Sequence, residues 1–161
     1  MEYFRFLGRL IGKAVLQRQR LPSHIQLVDH YFKHIVHYPI NYYDDLEEFE
    51  QDGFKFLENL HRLISYGEDM SLMDFTFETI PTRYTRNKNK PPIELVPNGS
   101  NIKLTNDNCM DYIEAYINYS MIGRTSKSLR ELLLGIYDVI PEPLWENLDY
   151  GLVKDMLTLS A

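Results

Sequence analysis

The spacing at which apolar residues recur along this chain changes twice, and those changes limit the folds open to it. From Tyr3 to Gln17 the set Phe4, Leu7, Leu10, Ile11, Ala14 and Val15 repeats at helical spacing, with Arg5, Arg9, Lys13 and Gln17 largely elsewhere on the wheel. A second stripe, Ile25, Val28, Tyr31, Phe32, Ile35 and Val36, follows a cap signal at Pro22 and Ser23 and stops before Pro39. In "LMDFTFETI" the period falls to two, because Met73, Phe75 and Phe77 alternate with Asp74, Thr76 and Glu78. That is the pattern of a strand with one apolar face. The period is two again in "IELVPNGSNIKLTNDN", where Ile93 and Leu95 precede a turn at Pro97, Asn98 and Gly99, and Ile102 and Leu104 follow it. A β-hairpin running into a helix capped by Thr105 or Asn106 is predicted there.

The other segments return to helical spacing. The stretch "DDLEEFEQDGFKFLENLHRLIS" predicts a helix that begins near Asp52, carries Phe54, Leu57, Leu60, Leu63 and Ile64, and closes at Gly67. After the hairpin, Tyr112, Ile113, Tyr116 and Ile117 share one helical side, and Leu129, Leu132, Leu133, Ile136 and Tyr137 form a stripe ending at Pro141. Asp149 is the expected cap of a last helix that buries Leu152, Val153, Met156 and Leu157. The basic, proline-ended run "TRYTRNKNKPP" reads as an exposed loop. The expected fold class is α+β and predominantly helical, with a small antiparallel sheet set between helices. A chain of 161 residues suits one domain with one sizeable core.

Charge and cysteine content narrow the partners. With 17 Lys plus Arg against 23 Asp plus Glu, the net charge of -6 argues against sequence-neutral binding to nucleic acid and favours a basic protein partner. Cys109 is the single cysteine, which excludes an internal disulfide framework and a cysteine-rich zinc site and predicts an intracellular chain, in the cytoplasm before the nucleus. No apolar run reaches the roughly 20 residues that span a bilayer, so no membrane role is expected.

Little in the sequence asks for catalysis. His30, His34 and His37 stand at i, i+4 and i+7 of a predicted helix, a spacing at which two could share zinc. The plainer reading is a solvent-facing or half-buried helix surface, because no cysteine accompanies them and structural zinc wants four ligands. Cys109 falls in a first helical turn, but Asp107 and Asp111 flank it and oppose a thiolate, so it reads as inert. The turn "PNGSN" lacks the glycines and the Lys-Ser or Lys-Thr pair of a phosphate loop. No catalytic residue, metal or cofactor is assigned.

Four motifs carry a family resemblance. "YFRFLGRLIGKAV", "ELVPNGSNIKLTNDN", "YIEAY" and "LLLGIYDVIP" stand in the order found in HECT-type ubiquitin ligases, and the similarity covers almost the whole chain. What the chain resembles is the N-terminal lobe of the HECT domain. Residues 1–161 are therefore expected to be a partial HECT domain, with a small subdomain over residues 41–119 and a large helical subdomain made of the rest. The resemblance implies that the small subdomain recruits a ubiquitin-conjugating enzyme through a hydrophobic groove, with ubiquitin a second candidate partner. By motif position, Phe54, Leu57, Leu60 and Leu63 would form one wall of the groove, Met73 and Phe75 its floor, and Tyr112 the other wall. Gly53 stands where relatives often carry a larger apolar residue. The family's cysteine, which accepts ubiquitin as a thioester, would lie in a C-terminal lobe beginning after Ala161, so the chain alone is expected to be inactive. The alternative is a noncatalytic interaction domain that keeps the N-lobe fold.

Overall fold

The computed structural model of the chain describes residues 2–79 and 91–158. Among them are seven α-helices: α1 (Glu2–Leu16), α2 (Asp29–Ile35), α3 (Tyr42–Phe49), α4 (Gln51–Ser65), α5 (Cys109–Asn118), α6 (Ser126–Val139) and α7 (Tyr150–Thr158). They divide between two compact units, one made of Met1–Asn41 with Thr125–Ala161, the other of Tyr42–Arg124. No described helix is long and apolar enough to cross a membrane. The predicted loop from Thr82 to Pro92 lies outside the described residues except for Pro91 and Pro92, which are exposed.

In the first unit the stripe on α1 packs on α6, and the two helices approach until their backbones touch. A Cβ on Gly8 would stand 2.0 Å from the Leu132 carbonyl oxygen, and one on Gly135 would stand 2.1 Å from that of Arg5. Ile11, Phe32, Ile35, Leu132, Ile136 and Trp145 fill the core beside this crossing. Trp145 is fully buried, and its Nε1–H donates to the Ile140 carbonyl at 3.0 Å, which meets the need of a buried indole for a partner. Asp149 caps α7 as expected, its Oδ1 accepting from the Leu152 N–H at 2.9 Å.

The second helix is shorter than its stripe implies. Ile25 closes a turn on the Pro22 carbonyl and Val28 is extended, so Ser23 caps nothing and α2 starts only at Asp29. A helix that the sequence reading did not separate, α3, forms in the acidic lead-in. Leu46 is fully buried, and Asp44 and Asp45 lie in the first turn, where the helix dipole favours negative charge.

The second unit corrects the expected sheet. No strand forms among the described residues; instead Thr76 bridges Lys103, and Glu78 bridges Glu94, each an isolated antiparallel pair. The arms predicted to form a hairpin thus meet the 75–79 segment, which lies between them. Three bonds explain this. The Phe77 N–H donates to the carbonyls of Gly99 and Ile102, both at 3.0 Å, while the Phe77 carbonyl accepts from Leu95 at 2.9 Å. Gly99 begins a short 3-10 turn, Gly99–Asn101, in place of a two-residue hairpin turn, and a Cβ there would meet the Phe77 carbonyl oxygen at 2.3 Å. Asn106 does not cap α5 either. Its side chain accepts from the Met70 N–H and donates to the Glu68 carbonyl, both at 2.8 Å, and so ties the turn after α4 to the approach of α5.

Two outcomes follow for stability, with Gly123 of the second unit as the comparison for the first. Gly8→Ala, which cannot fit against a carbonyl, should lower unfolding free energy in urea by about 1–3 kcal/mol, the usual cost of overpacking. Gly123→Ala, whose Cβ would meet nothing closer than 3.7 Å, should change it by less than about 0.5 kcal/mol. The second outcome concerns pH. Arg5 forks onto the Asp138 carboxylate at 2.9 and 2.8 Å and Arg9 donates to it at 2.9 Å, which holds its carboxyl at about 2 rather than the ordinary 3.8. A depressed folded-state pKa adds stability above the unfolded value and loses it as pH falls. The fall in urea stability between pH 3.8 and about 2 should therefore be shallower in Asp138→Asn than in the parent chain.

Candidate functional site

A recess of about 380 Å³ opens in the second unit between α4 and the segment carrying Met73 and Phe75. Helix α4 builds it because its apolar residues fall on two faces. Phe54 and Leu57 turn into the core, whereas Phe56, Leu60 and Leu63, at i, i+4 and i+7, reach the recess. Opposite them, Asp69 caps the 3-10 turn Met70–Met73 by accepting from the Ser71 N–H at 3.0 Å, and Asp74 leaves it in the left-handed region at φ 53°. That reversal presents half-buried Met73 at the edge and places Phe75 at the bottom. Asp52, Lys55, Asn59 and Arg62 supply a polar rim of mixed charge.

Four of the seven expected groove residues, Leu60, Leu63, Met73 and Phe75, line this recess together. The other three do not. Phe54 packs at a tilt against Tyr43 with 5.2 Å between ring centres, and Leu57 is fully buried. Tyr112, expected as the opposite wall, is 1% exposed. Its hydroxyl donates to the Glu78 carbonyl at 2.9 Å, and its ring stands edge-on to Phe77 at 5.5 Å. Burial, aided by the charges of Cys109 and Glu78, raises its pKa, so the phenol stays neutral. Tyr112 is thus a support beneath the site: helix periodicity gave its side of α5 but not how deep that side sits.

Phe56, absent from the expected set, lines the recess and packs at a tilt against Phe75, with 5.4 Å between ring centres. Its signal was present in the i, i+4, i+7 relation with Leu60 and Leu63. Gly53 also has a local cause. A Cβ there would meet the Tyr116 hydroxyl at 2.7 Å, and that hydroxyl donates to Glu50 at 3.0 Å.

The residues weighed for chemistry sit elsewhere. Cys109 opens α5 fully buried, and burial pushes its thiol up to about 11, which disfavours the thiolate a nucleophile needs. His30 is 1% exposed and packs edge-on against Tyr31 and His34, so the expected surface position is corrected. His37 lies beyond α2 at φ 57°, which breaks the i+7 relation. Among the described residues no three of His, Cys, Asp or Glu converge on a point that could hold a metal. The recess itself offers carbon surface with a polar border, which suits it to bury an apolar side chain of a partner.

Comparison with known proteins fits this architecture to a class. The family described as HECT-domain (ubiquitin-transferase) matches residues 1–157, and the chain belongs to that family. Its relatives include E3 ubiquitin-protein ligase HUWE1 of Mus musculus, 28% identical over 144 residues that make up 89% of this chain and 3% of that protein. E3 ubiquitin-protein ligase hyd of Drosophila melanogaster is 29% identical over 148 residues, 90% of this chain and 5% of that protein. E3 ubiquitin-protein ligase RSP5 of Emericella nidulans is 24% identical over 147 residues, 89% of this chain and 16% of that protein. The chain thus spans a small part of each relative's length.

The placement of Tyr112 has a measurable consequence. Tyr112→Phe removes one buried hydrogen bond and should cost about 0.5–1.5 kcal/mol of stability in urea unfolding while the folded far-ultraviolet spectrum is unchanged.

Proposed function

We propose that this chain is the part of a HECT-type ubiquitin ligase that recruits a ubiquitin-conjugating enzyme, and that the recess of Leu60, Leu63, Met73 and Phe75 receives an apolar side chain from it. In this reading the unit Tyr42–Arg124 plays the small subdomain of the N-terminal lobe. Ubiquitin transfer then requires a cysteine on a separate C-terminal lobe. The raised pKa of buried Cys109 supports that division, since this thiol is unsuited to form a thioester.

The observation that carries the proposal is the meeting of Leu63 and Met73, both half-buried, over a floor of buried Leu60 and Phe75. Such a surface keeps its shape when empty because its floor is already core. The occupant therefore gains apolar contact with little reordering of the recess, which favours affinity. Transient recruitment of this kind corresponds to micromolar dissociation, about -8 kcal/mol, with one or two anchors carrying much of it.

The depth of each residue decides which substitution is informative. Phe75 is 4% exposed, so Phe75→Ala would excavate the core at a cost of about 3–5 kcal/mol and confuse unfolding with lost binding. Leu63→Asp and Met73→Asp act at the edge instead. Each should weaken binding of ubiquitin-conjugating enzymes at least roughly tenfold in isothermal titration, with circular dichroism unchanged. Undiminished binding by both folded variants would remove this recess from the proposal.

A further inference from the structure

A larger recess, of about 590 Å³, lies on the outer side of α5, and the recruitment reading does not use it. Tyr42 and Tyr43 of α3 form one side, and Met110 and Ile117 of α5 form the other. Its size falls within the range of about 300–1,000 Å³ usual for ligand sites. The core uses this surface only in part: Ile113 on the lining is buried, while Tyr42, Tyr43 and Ile117 pack against the core yet stay half-buried. Cys109, Tyr112, Ile113 and Tyr116 already supply the buried side of α5, whereas Met110 is 55% exposed. An exposed methionine is an adaptable contact, because its unbranched thioether fits many shapes.

The charge at this recess is one-sided. Asp111 and Glu114, three residues apart on α5, both line it and both are exposed. Neither carboxylate forms an ion pair among the described residues. Asp111, in the first turn of α5, is explained by the helix dipole, but Glu114 lies beyond that turn and repels its neighbour. Glu58 and Asp44 add negative potential beside Tyr43, whose pKa rises through burial first and through those two charges after it. Tyr42, Tyr43 and His61 are the other titratable groups on the lining; Arg62 is not on it but lines a neighbouring recess and the rim of the Met73 recess, and its guanidinium donates to the Asn59 side chain at 2.7 Å.

We infer that this recess is a second docking site, which takes a short basic peptide segment whose apolar side chain enters between Tyr43 and Ile117 while flanking Lys or Arg side chains pair with Asp111 and Glu114. The partner supplies the cations that the described residues do not bring to these carboxylates. The site is separate from the recess of Met73, so each can fail without the other.

The test uses the whole chain and three fluorescein-labelled synthetic peptides read by anisotropy. In the first, Leu-Phe is flanked on both sides by Lys-Lys; in the second the flanks are Glu-Glu; in the third the lysines stay and Gly-Gly replaces Leu-Phe. The first peptide should bind best, and its affinity should fall as salt rises. Asp111→Lys combined with Glu114→Lys should weaken it roughly tenfold or more, and Glu114→Gln by a smaller factor. Met73→Asp should leave it unchanged. Failure of the first peptide to bind, equal binding of either control peptide, or full affinity in the folded double variant would each overturn the inference.

Discussion

The backbone of Phe77 is the constraint on which the second unit depends. Its N–H is shared between two carbonyls of one arm, Gly99 and Ile102, and its carbonyl is held by Leu95 of the other. One residue thereby holds both arms of a turn distant from it in sequence, and these stretches gain little from sheet pairing, since only two isolated bridges form among the described residues. The ring of Tyr112 then closes against Phe77, and its hydroxyl secures the next carbonyl, that of Glu78. With α5 fixed in this way, α4 has a firm surface to pack on, and Phe75 is set at the depth that makes it a floor.

That arrangement divides the apolar residues of the unit into two kinds. Phe54, Phe77 and Tyr112 are spent inside, where each ring meets another edge-on or tilted and where burial stabilises by the removal of carbon from water. Leu63, Met73 and Met110 are left partly or largely uncovered at openings. The two recesses differ in what surrounds them. Mixed charge borders the one at Met73, whereas the lining at Met110 carries carboxylates and a histidine, so the first reads shape and the second is built to read charge as well.

Much of the helical plan was legible because it rests on local spacing. The α1 stripe, the Asp149 cap and the end of α4 near Gly67 needed no knowledge of the rest of the chain. What spacing could not give was depth. Met73, Phe75 and Phe77 alternate as a half-buried strand would, yet the segment is held by bonds to two different arms and gains no strand neighbour of regular register. Tyr112 shares its helical side with Ile113 and Tyr116, and nothing local tells a wall from a foundation. Phe56 was missed for the opposite reason: it belongs to a second stripe on α4 that overlaps the first at Leu60 and Leu63. His30, read as surface, is interior because the buried side of α2 is wider than its apolar stripe: Phe32 and Ile35 enter the core as expected, and His30 is buried with them.

The central claim is that a ubiquitin-conjugating enzyme meets this chain at the rim formed by Leu63 and Met73. The most direct measurement is methyl NMR of the chain carrying labelled leucine and methionine, titrated with the unlabelled enzyme. The account predicts that the methyls of Met73 and Leu63 shift and broaden together, while that of fully buried Met121 stays in place. Saturable binding that leaves Met73 and Leu63 unmoved would contradict it.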